Sequence, residues 1–195
     1  MTDIFERIWQ LALPYQDRRD DPGHAEITLY YATSLAESEQ GNPDVIIPAM
    51  ILHDVGWSQV SRERWLFVFH KSKTDEQRRE VQIEHQNAGV MLAKEILEKA
   101  EYPAQLAPEI LEIISQHDTR KGFISRNEGL VRDSDKLWRF SKECFEAGVK
   151  RSKTSPEERC KDLEASIDKP DYFYSERAKE LAREQLQARR RELLA

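Results

Sequence analysis

The sequence of 195 residues predicts an all-α fold. Glycine and proline are scarce, at seven and eight residues, while residues that favour helices, such as Ala, Leu and Glu, are frequent. Apolar residues recur at helical spacing, and capping residues stand before several of these segments. The hydrophobic share of 39% is sufficient for a core, and the charged share of 34% is typical of helices with solvated outer faces. We therefore expect a helical bundle with a charged C-terminal helix.

The individual helices are predicted from apolar periodicity and from the residues that cap their first turns. Asn42 followed by Pro43 is typical of a helix start, and so is the capping box that begins at Thr74. The segment 57–73 carries an aromatic cluster and is predicted to be irregular. Helices are predicted over residues 3–14, 22–39, 43–56, 74–102, 108–119 and 127–149, then from residue 155 and from about residue 175.

Composition and charge narrow the class of protein. A net charge of −6 argues against a general nucleic-acid-binding protein. No apolar run reaches the roughly 18–20 residues of a membrane span, and early acidic residues argue against a signal peptide. Cys144 and Cys160 are too few for a disulfide framework or a cysteine zinc site. We expect a cytoplasmic protein with reduced thiols that binds neither nucleic acid nor membrane.

Four of the five histidines lie on predicted inward faces of four different helices. These are His24, His53, His85 and His117, whereas His70 falls in the irregular segment. A single buried histidine is usually a core residue that has found a hydrogen bond, but four separate ones each need a buried partner. A shared metal ion would satisfy several of them at once, and neutral imidazole is a good ligand for Zn, Fe, Mn, Co or Ni.

Carboxylates lower the cost of burying a divalent cation, and candidates are found beside these histidines. Asp54 directly follows His53. On a later helix both Asp133 and Asp135 share a face with large apolar residues, and periodicity favours Asp135 only slightly. The residues alone therefore predict a buried His/Asp metal site. They do not decide whether Asp133 or Asp135 is its second aspartate.

The order of these residues resembles the H…HD…D signature of the HD-domain superfamily of metal-dependent phosphohydrolases. His24, the His53-Asp54 pair with Val-Gly after it, and the segment DSDKL carry the resemblance, which covers about residues 20–140. In that segment the superfamily's ligand is usually the second aspartate, so the resemblance implies Asp135.

The resemblance also bounds the domains. It implies an HD-type helical domain over residues 1–155, and leaves residues 156–195 as a C-terminal helical extension that packs on the domain or projects from it. The extension is rich in Arg and Glu. A charge-rich terminal helix is as a rule simply solvated, and the alternative is an arm for a homodimer or another partner.

HD proteins with two further histidines before the last aspartate resemble the binuclear branch of the superfamily. The ligands implied for one ion are His24, His53, Asp54 and Asp135. Those implied for a second ion are Asp54, His85 and His117, with Asp54 as the bridge. The alternative is that His85 and His117 form hydrogen bonds in the core of a one-ion site. The ion or ions are expected to be divalent Fe, Mn, Co, Ni or Zn, with Mg as a further candidate.

The implied reaction is hydrolysis of a phosphoric ester by metal-activated water. Asp54 and His53 are the implied catalytic residues, and a nucleotide or another small phosphorylated metabolite is the implied substrate. Four cations near the predicted site are candidates for binding phosphate, although a solvated surface charge is the plainer interpretation of each. They are Arg120, Lys121, Lys136 and Arg139.

Other interpretations stay open at this point. Similar sites with two iron ions occur in oxygenases that cleave C–C or C–P bonds, such as myo-inositol oxygenase. A non-catalytic metal-binding or scaffold protein is the second alternative. Cyclic-di-GMP cleavage is disfavoured, because Trp57 stands where that branch usually has lysine and no Gly-Tyr-Pro segment occurs. Arg62, Arg64 and His70 are predicted to form either a lid or an ordinary surface loop.

Overall fold

The computed structural model describes residues 2–19, 21, 23–69 and 74–194, and it confirms the all-α prediction. Over these residues the chain forms ten α-helices and two 3-10 turns, Leu13–Tyr15 and Val55–Gln59, and no strand. The helices are α1 Asp3–Ala12, α2 His24–Ser38, α3 Pro43–Leu52, α4 Arg62–Phe69, α5 Asp75–Lys99, α6 Ala107–Gln116, α7 Arg126–Trp138, α8 Lys142–Ser152, α9 Pro156–Ile167 and α10 Glu176–Leu193.

Helix α3 lies at the centre of the core. Every residue from Val45 to Leu52 is buried, and the helix packs on α1, α2, α6 and α7, which explains why its sequence is apolar on all sides. Pro48 has no N–H to donate to the carbonyl of Asp44, four residues earlier. The Tyr102 hydroxyl donates to that carbonyl instead, at 2.6 Å, and so holds the first turn of α3.

Helix α5 lies against the 3-10 turn that follows α3, and this contact depends on a glycine. A Cβ at Gly56 would lie 1.9 Å from the carbonyl oxygen of His85 and 2.4 Å from the backbone nitrogen of Gly89. Only a residue without a Cβ allows two backbones to approach so closely. The turn after α3 is therefore fixed against the helix that carries His85.

The structure corrects two predictions around this turn. Helix α3 ends at Leu52, so the His53-Asp54 pair follows the helix instead of lying within it. The segment predicted to be irregular contains α4, whose Trp65 is buried in a small cluster with Trp57. The buried Trp65 gives this segment a side that packs on the rest of the protein, which favours a helix.

The single helix predicted over residues 127–149 is also wrong, because α7 and α8 are separate. The Ser141 hydroxyl accepts a hydrogen bond from the backbone N–H of Cys144 at 3.2 Å and so caps the start of α8. Phe140, in the break, is fully buried. The apolar periodicity continues through this position. Ser141 therefore resembles an ordinary residue on the polar face of one long helix, and the pattern does not show that a new helix begins there.

The C-terminal segment packs on the rest of the bundle. Helix α10 lies against α9 and α7. The buried Asp133 carboxylate accepts hydrogen bonds from the backbone N–H groups of Tyr174 and Ser175 at 2.6 and 2.8 Å, and from the Ser175 hydroxyl at 2.8 Å. The predicted domain boundary at residue 155 stays a prediction. Among the helices described here, none is both long enough and apolar enough to cross a membrane.

Candidate metal centre

Five helices bring the predicted site residues to one place. His24 is the first residue of α2, His85 lies within α5, and Asp135 lies within α7. His53 and His117 are the C-cap residues of α3 and α6. All four histidines are buried, so their imidazoles face one another instead of solvent.

A first cluster consists of His24, His53 and Asp135. The two imidazole Nε2 atoms lie 3.2 Å apart. Asp135 Oδ1 lies 3.5 Å from His24 Nε2 and 3.6 Å from His53 Nε2. The cluster therefore contains Asp135, while Asp133 binds the C-terminal segment. Tertiary packing separates two aspartates that periodicity could not.

A second cluster consists of Asp54, His85 and His117. The Nε2 atoms of the two histidines lie 3.3 Å apart, and Asp54 Oδ1 lies 3.7 Å from His85 Nε2 and 3.4 Å from His117 Nε2. The other oxygen of the same carboxylate, Oδ2, lies 3.3 Å from His24 Nε2 and 3.6 Å from His53 Nε2. Asp54 thus presents one oxygen to each cluster.

Two of the imidazoles have their orientation and tautomer set by the helix end that carries them. His53 Nδ1 lies 2.7 Å from the Met50 carbonyl oxygen, and His117 Nδ1 lies 2.9 Å from the Ile114 carbonyl oxygen. A carbonyl can only accept, so Nδ1 is the donor in both rings. In the neutral ring this leaves the Nε2 lone pair directed into the cluster, as metal ligation requires.

The donor atoms fit divalent transition-metal ions. In each cluster the three ligand atoms lie within 4.8 Å of one another. His24 Nδ1 and His85 Nδ1 are buried without a hydrogen-bond partner among the described residues, so hydrogen bonding alone does not account for these imidazoles. Imidazole with carboxylate suits Zn, Fe, Mn, Co or Ni. Each cluster could hold one ion.

The sequence matches the HD domain family over residues 23–139, which is more than half of the chain. The chain belongs to the HD domain family. The matched range contains all six residues of the two clusters, and an HD domain implies that a divalent metal binds here. A comparison with curated proteins gave no match.

A crystal structure described as a predicted HD superfamily hydrolase, from an uncultured Thermotogales bacterium, is similar in fold. It is 16% identical in sequence with a TM-score of 0.60, and the alignment covers 100% of this chain and 89% of that one. The match confirms the all-α HD fold. Family membership together with the two clusters supports a metal-dependent hydrolase of the HD superfamily.

In this HD domain, burial and neighbouring charges shift the pKa values of the cluster residues in different directions. Burial alone would raise the pKa of Asp54, but Arg19 and then His53 hold it well below its ordinary value. Burial opposes protonation of His117, yet Asp118 and Asp54 raise its pKa to about 9. Burial, and then His117, lower the pKa of His85 to about 3, so its imidazole is neutral and able to bind a cation.

Arg19 is a site residue that sequence reasoning missed. Its guanidinium Nη2 lies 2.6 Å from Asp54 Oδ2 and 3.2 Å from Asp21 Oδ2, and its side chain is only 15% exposed. The residue lies in a charged loop before α2, which has no periodicity to show which way a side chain points. The loop gave no signal that could have identified it.

Trp57 and Asp118 were also missed as site residues. The Trp57 indole N–H donates to Asp54 Oδ1 at 3.0 Å, and its ring stacks on His85 at 3.9 Å between centroids. The Arg19 guanidinium lies over the ring, 4.3 Å from its centroid. Asp118 lies beside the second cluster. Here a signal existed, because His117-Asp118 repeats the residue pair at His53-Asp54.

The four cations predicted to bind phosphate fall into two groups. Arg120 pairs with Glu112 and Glu128, and Lys136 donates to the backbone carbonyls of Asp171 and Tyr172, so these two are engaged elsewhere. The other two, Lys121 and Arg139, are exposed. Tyr172, and then Asp135 and Asp118, raise the pKa of the Arg139 guanidinium above its ordinary value. Substrate binding by any of the four stays a prediction.

Only part of the predicted lid lies within the residues that the structure describes. Arg62 and Arg64 belong to α4, and Arg64 forms an ion pair with Glu84 of α5 at 2.6 Å. His70 lies outside the described residues. The first part of the predicted lid is therefore a helix, and an ion pair joins it to α5.

Proposed function

We propose that this HD domain hydrolyses a phosphoric ester, with a nucleotide or another small phosphorylated metabolite as substrate. The observation that carries the proposal is the position of Asp54, whose two oxygens face two separate clusters of buried imidazoles. Such an arrangement suits two ions that share one carboxylate. Two ions a few ångströms apart can act on the attacking and the leaving oxygen of one ester.

Each side chain has a defined task in this proposal. His24, His53 and Asp135 would hold one ion, His85 and His117 would hold the other, and Asp54 would contribute one carboxylate oxygen to each. The ions, when bound, lower the pKa of a coordinated water and take up charge on phosphoryl oxygens. The Nδ1–H bonds to the helix carbonyls orient the His53 and His117 rings, so that their Nε2 atoms are directed toward the positions where the ions would bind. The candidate ions are divalent Fe, Mn, Co, Ni and Zn, with Mg as a further candidate.

Arg139 and Lys121 are the cations that we propose for the substrate's phosphate. Both are exposed, and with the described residues neither forms an ion pair of the kind that engages Arg120. A net charge of −6 gives no general attraction for phosphate, so the attraction has to come from local groups.

The test begins with protein stripped of metal by a chelator and reloaded with one divalent ion at a time. Phosphate release is then measured over a panel of nucleoside phosphates and sugar phosphates. We expect release with at least one ion, and a loss of about 10³-fold or more in Asp54→Ala because the shared ligand is gone. Asp162→Ala, at an exposed position of α9, is the matched control and should retain full activity.

Two results would contradict the proposal. Consumption of dioxygen by the iron-loaded protein, without phosphate release from any compound, would identify an oxygenase. A cellular effect that Asp54→Ala leaves intact would identify a scaffold that needs no chemistry at this site.

A further inference from the structure

The chain contains a second His-Asp pair that is built like the first. His53 and His117 are both C-cap residues, with φ and ψ of −59° and −38° at His53 and −56° and −32° at His117. In both, Nδ1 donates to the carbonyl three residues earlier in the helix. Each histidine is followed by an aspartate, Asp54 or Asp118. Each aspartate therefore directly follows a histidine that the helix end orients in the same way.

Asp118 also lies at ligand distance from the second cluster. Its Oδ2 is 3.7 Å from His85 Nε2 and 3.9 Å from His117 Nε2. The corresponding distances from Asp54 Oδ1 are 3.7 and 3.4 Å. A ligand bond is about 2.0–2.2 Å long, so two ligands of one ion lie roughly 3–4 Å apart. Both carboxylates meet that condition with respect to the same two imidazoles.

The Asp118 carboxylate has no competing role in the described part of the chain. Its side chain is 21% exposed, and it accepts no hydrogen bond from the residues that the structure describes. Its charge raises the pKa of the His117 imidazole and of the Arg19 and Arg139 guanidinium groups. By contrast, Asp133 has three hydrogen bonds that hold it in place.

We propose that Asp118 is a further metal ligand, which binds the second ion together with Asp54, His85 and His117. The first cluster has its own aspartate, Asp135, besides the shared one. Without Asp118 the second cluster has only the shared carboxylate, and with it each ion has two imidazoles and two carboxylates. This inference rests on the two-ion arrangement of the proposed function.

The experiment measures metal binding without substrate. Metal-free protein is titrated with Mn²⁺ by calorimetry, bound metal is counted by mass spectrometry, and Co²⁺ absorption reports the ligand field. Asp118→Ala and Asp118→Asn are compared with two other variants. Asp162→Asn is the matched surface control. His85→Ala removes a histidine that is already proposed to bind the second ion. Circular dichroism checks that each variant folds.

We expect two ions in the wild-type protein and in the surface control. In Asp118→Ala the second dissociation constant should rise by about 10- to 100-fold while the first changes less than about twofold. The Co²⁺ spectrum of the second ion should change in both Asp118 variants. His85→Ala should weaken the same ion.

Three results would overturn the inference. They are an unchanged second dissociation constant in folded Asp118→Ala, an equal weakening of both ions, and uptake of a single ion by the wild-type protein. Because no substrate is involved, failure of the phosphate-release assay leaves this test standing, and the two failures can be told apart.

Discussion

His53 and His117 end α3 and α6 with nearly the same backbone dihedral angles, but the aspartates that follow them, Asp54 and Asp118, have different neighbours. Asp54 is held by the Arg19 guanidinium and the Trp57 indole, and it faces both clusters. Asp118 has neither contact and lies beside the second cluster alone. The comparison teaches that a helix end can orient the imidazole, whereas packing beyond the helix determines what the following carboxylate does.

The difference arises in the segment after each pair. After Asp54 the chain forms the 3-10 turn Val55–Gln59, which packs on α5 through Gly56 and brings Trp57 back onto Asp54. After Asp118 the chain continues into a turn, where the backbone N–H of Arg120 donates to the Gln116 carbonyl. That turn places no indole beside Asp118.

The largest effect on this comparison should come from Gly56→Ala. The new Cβ would meet the His85 carbonyl and the Gly89 backbone, so the turn and α5 have to separate. We expect a loss of about 3 kcal/mol in the free energy of unfolding, together with weaker binding of the second ion. Urea denaturation and Mn²⁺ titration measure the two effects.

The matched control is Gly89→Ala, on the other side of the same contact. Its Cβ would have its nearest neighbour, Ile114 Cγ2, at 3.4 Å, which is ordinary contact. We expect it to be neutral, or to stabilise α5 by up to about 1 kcal/mol. Equal losses in both variants would show that the close approach at Gly56 is not what positions the turn.

Arg19→Met tests the charged neighbour of Asp54. Without metal, Arg19 is the strongest favourable partner of this buried carboxylate, so its loss should destabilise the metal-free protein by about 2 kcal/mol. With metal bound, the ions compensate the same charge, and the loss should be smaller. Denaturation curves with chelator and with Mn²⁺ give the two values.

Arg183→Met removes an exposed ion pair with Asp168 and serves as the control, with an expected cost below about 1 kcal/mol in both conditions. If Arg19→Met costs the same with and without metal, Arg19 does not share Asp54 with the ions.

Trp57→Phe separates the hydrogen bond from the ring stack. Phenylalanine keeps an aromatic ring against His85 but loses the indole N–H that orients Asp54 Oδ1 toward the second cluster. We expect the second ion to bind about tenfold more weakly, and the first to be nearly unchanged. Trp9→Phe, at a partly buried tryptophan of α1 that belongs to neither cluster, is the control. Equal binding of the second ion in Trp57→Phe and Trp9→Phe would argue against this orienting role.

The smallest effect should be seen at Tyr102, which holds the start of the helix that carries the first pair. Burial, and then Asp44, raise the pKa of Tyr102 to about 12. A raised folded-state pKa means that its stabilising contribution is present below about pH 10, the unfolded-state pKa, and is lost as the pH rises through about 12.

Tyr102→Phe should cost about 1 kcal/mol at pH 7, because the Asp44 carbonyl loses its donor, and should reduce the alkaline loss of stability. Tyr30→Phe, at an exposed tyrosine, should leave the stability at pH 7 unchanged. Urea midpoints measured from pH 7 to 11 would show both, and an undiminished alkaline loss in Tyr102→Phe would assign that loss to other groups.

The sequence by itself determined the all-α class and four inward histidines, because helical periodicity is local and survives in the folded chain. The four predicted inward histidines, together with the order of His24, His53-Asp54 and Asp135, were sufficient to identify the HD domain family, and the family match confirms this. Periodicity could not separate Asp133 from Asp135, and the family resemblance implied Asp135; the tertiary structure shows the physical reason, since the C-terminal segment packs on Asp133 whereas Asp135 lies beside His24. Arg19 and Trp57 depend on a loop and a turn returning to Asp54. The Arg19 contact joins residues 35 positions apart, and the Trp57 contact depends on a turn that packs on α5, so helical periodicity shows neither of them.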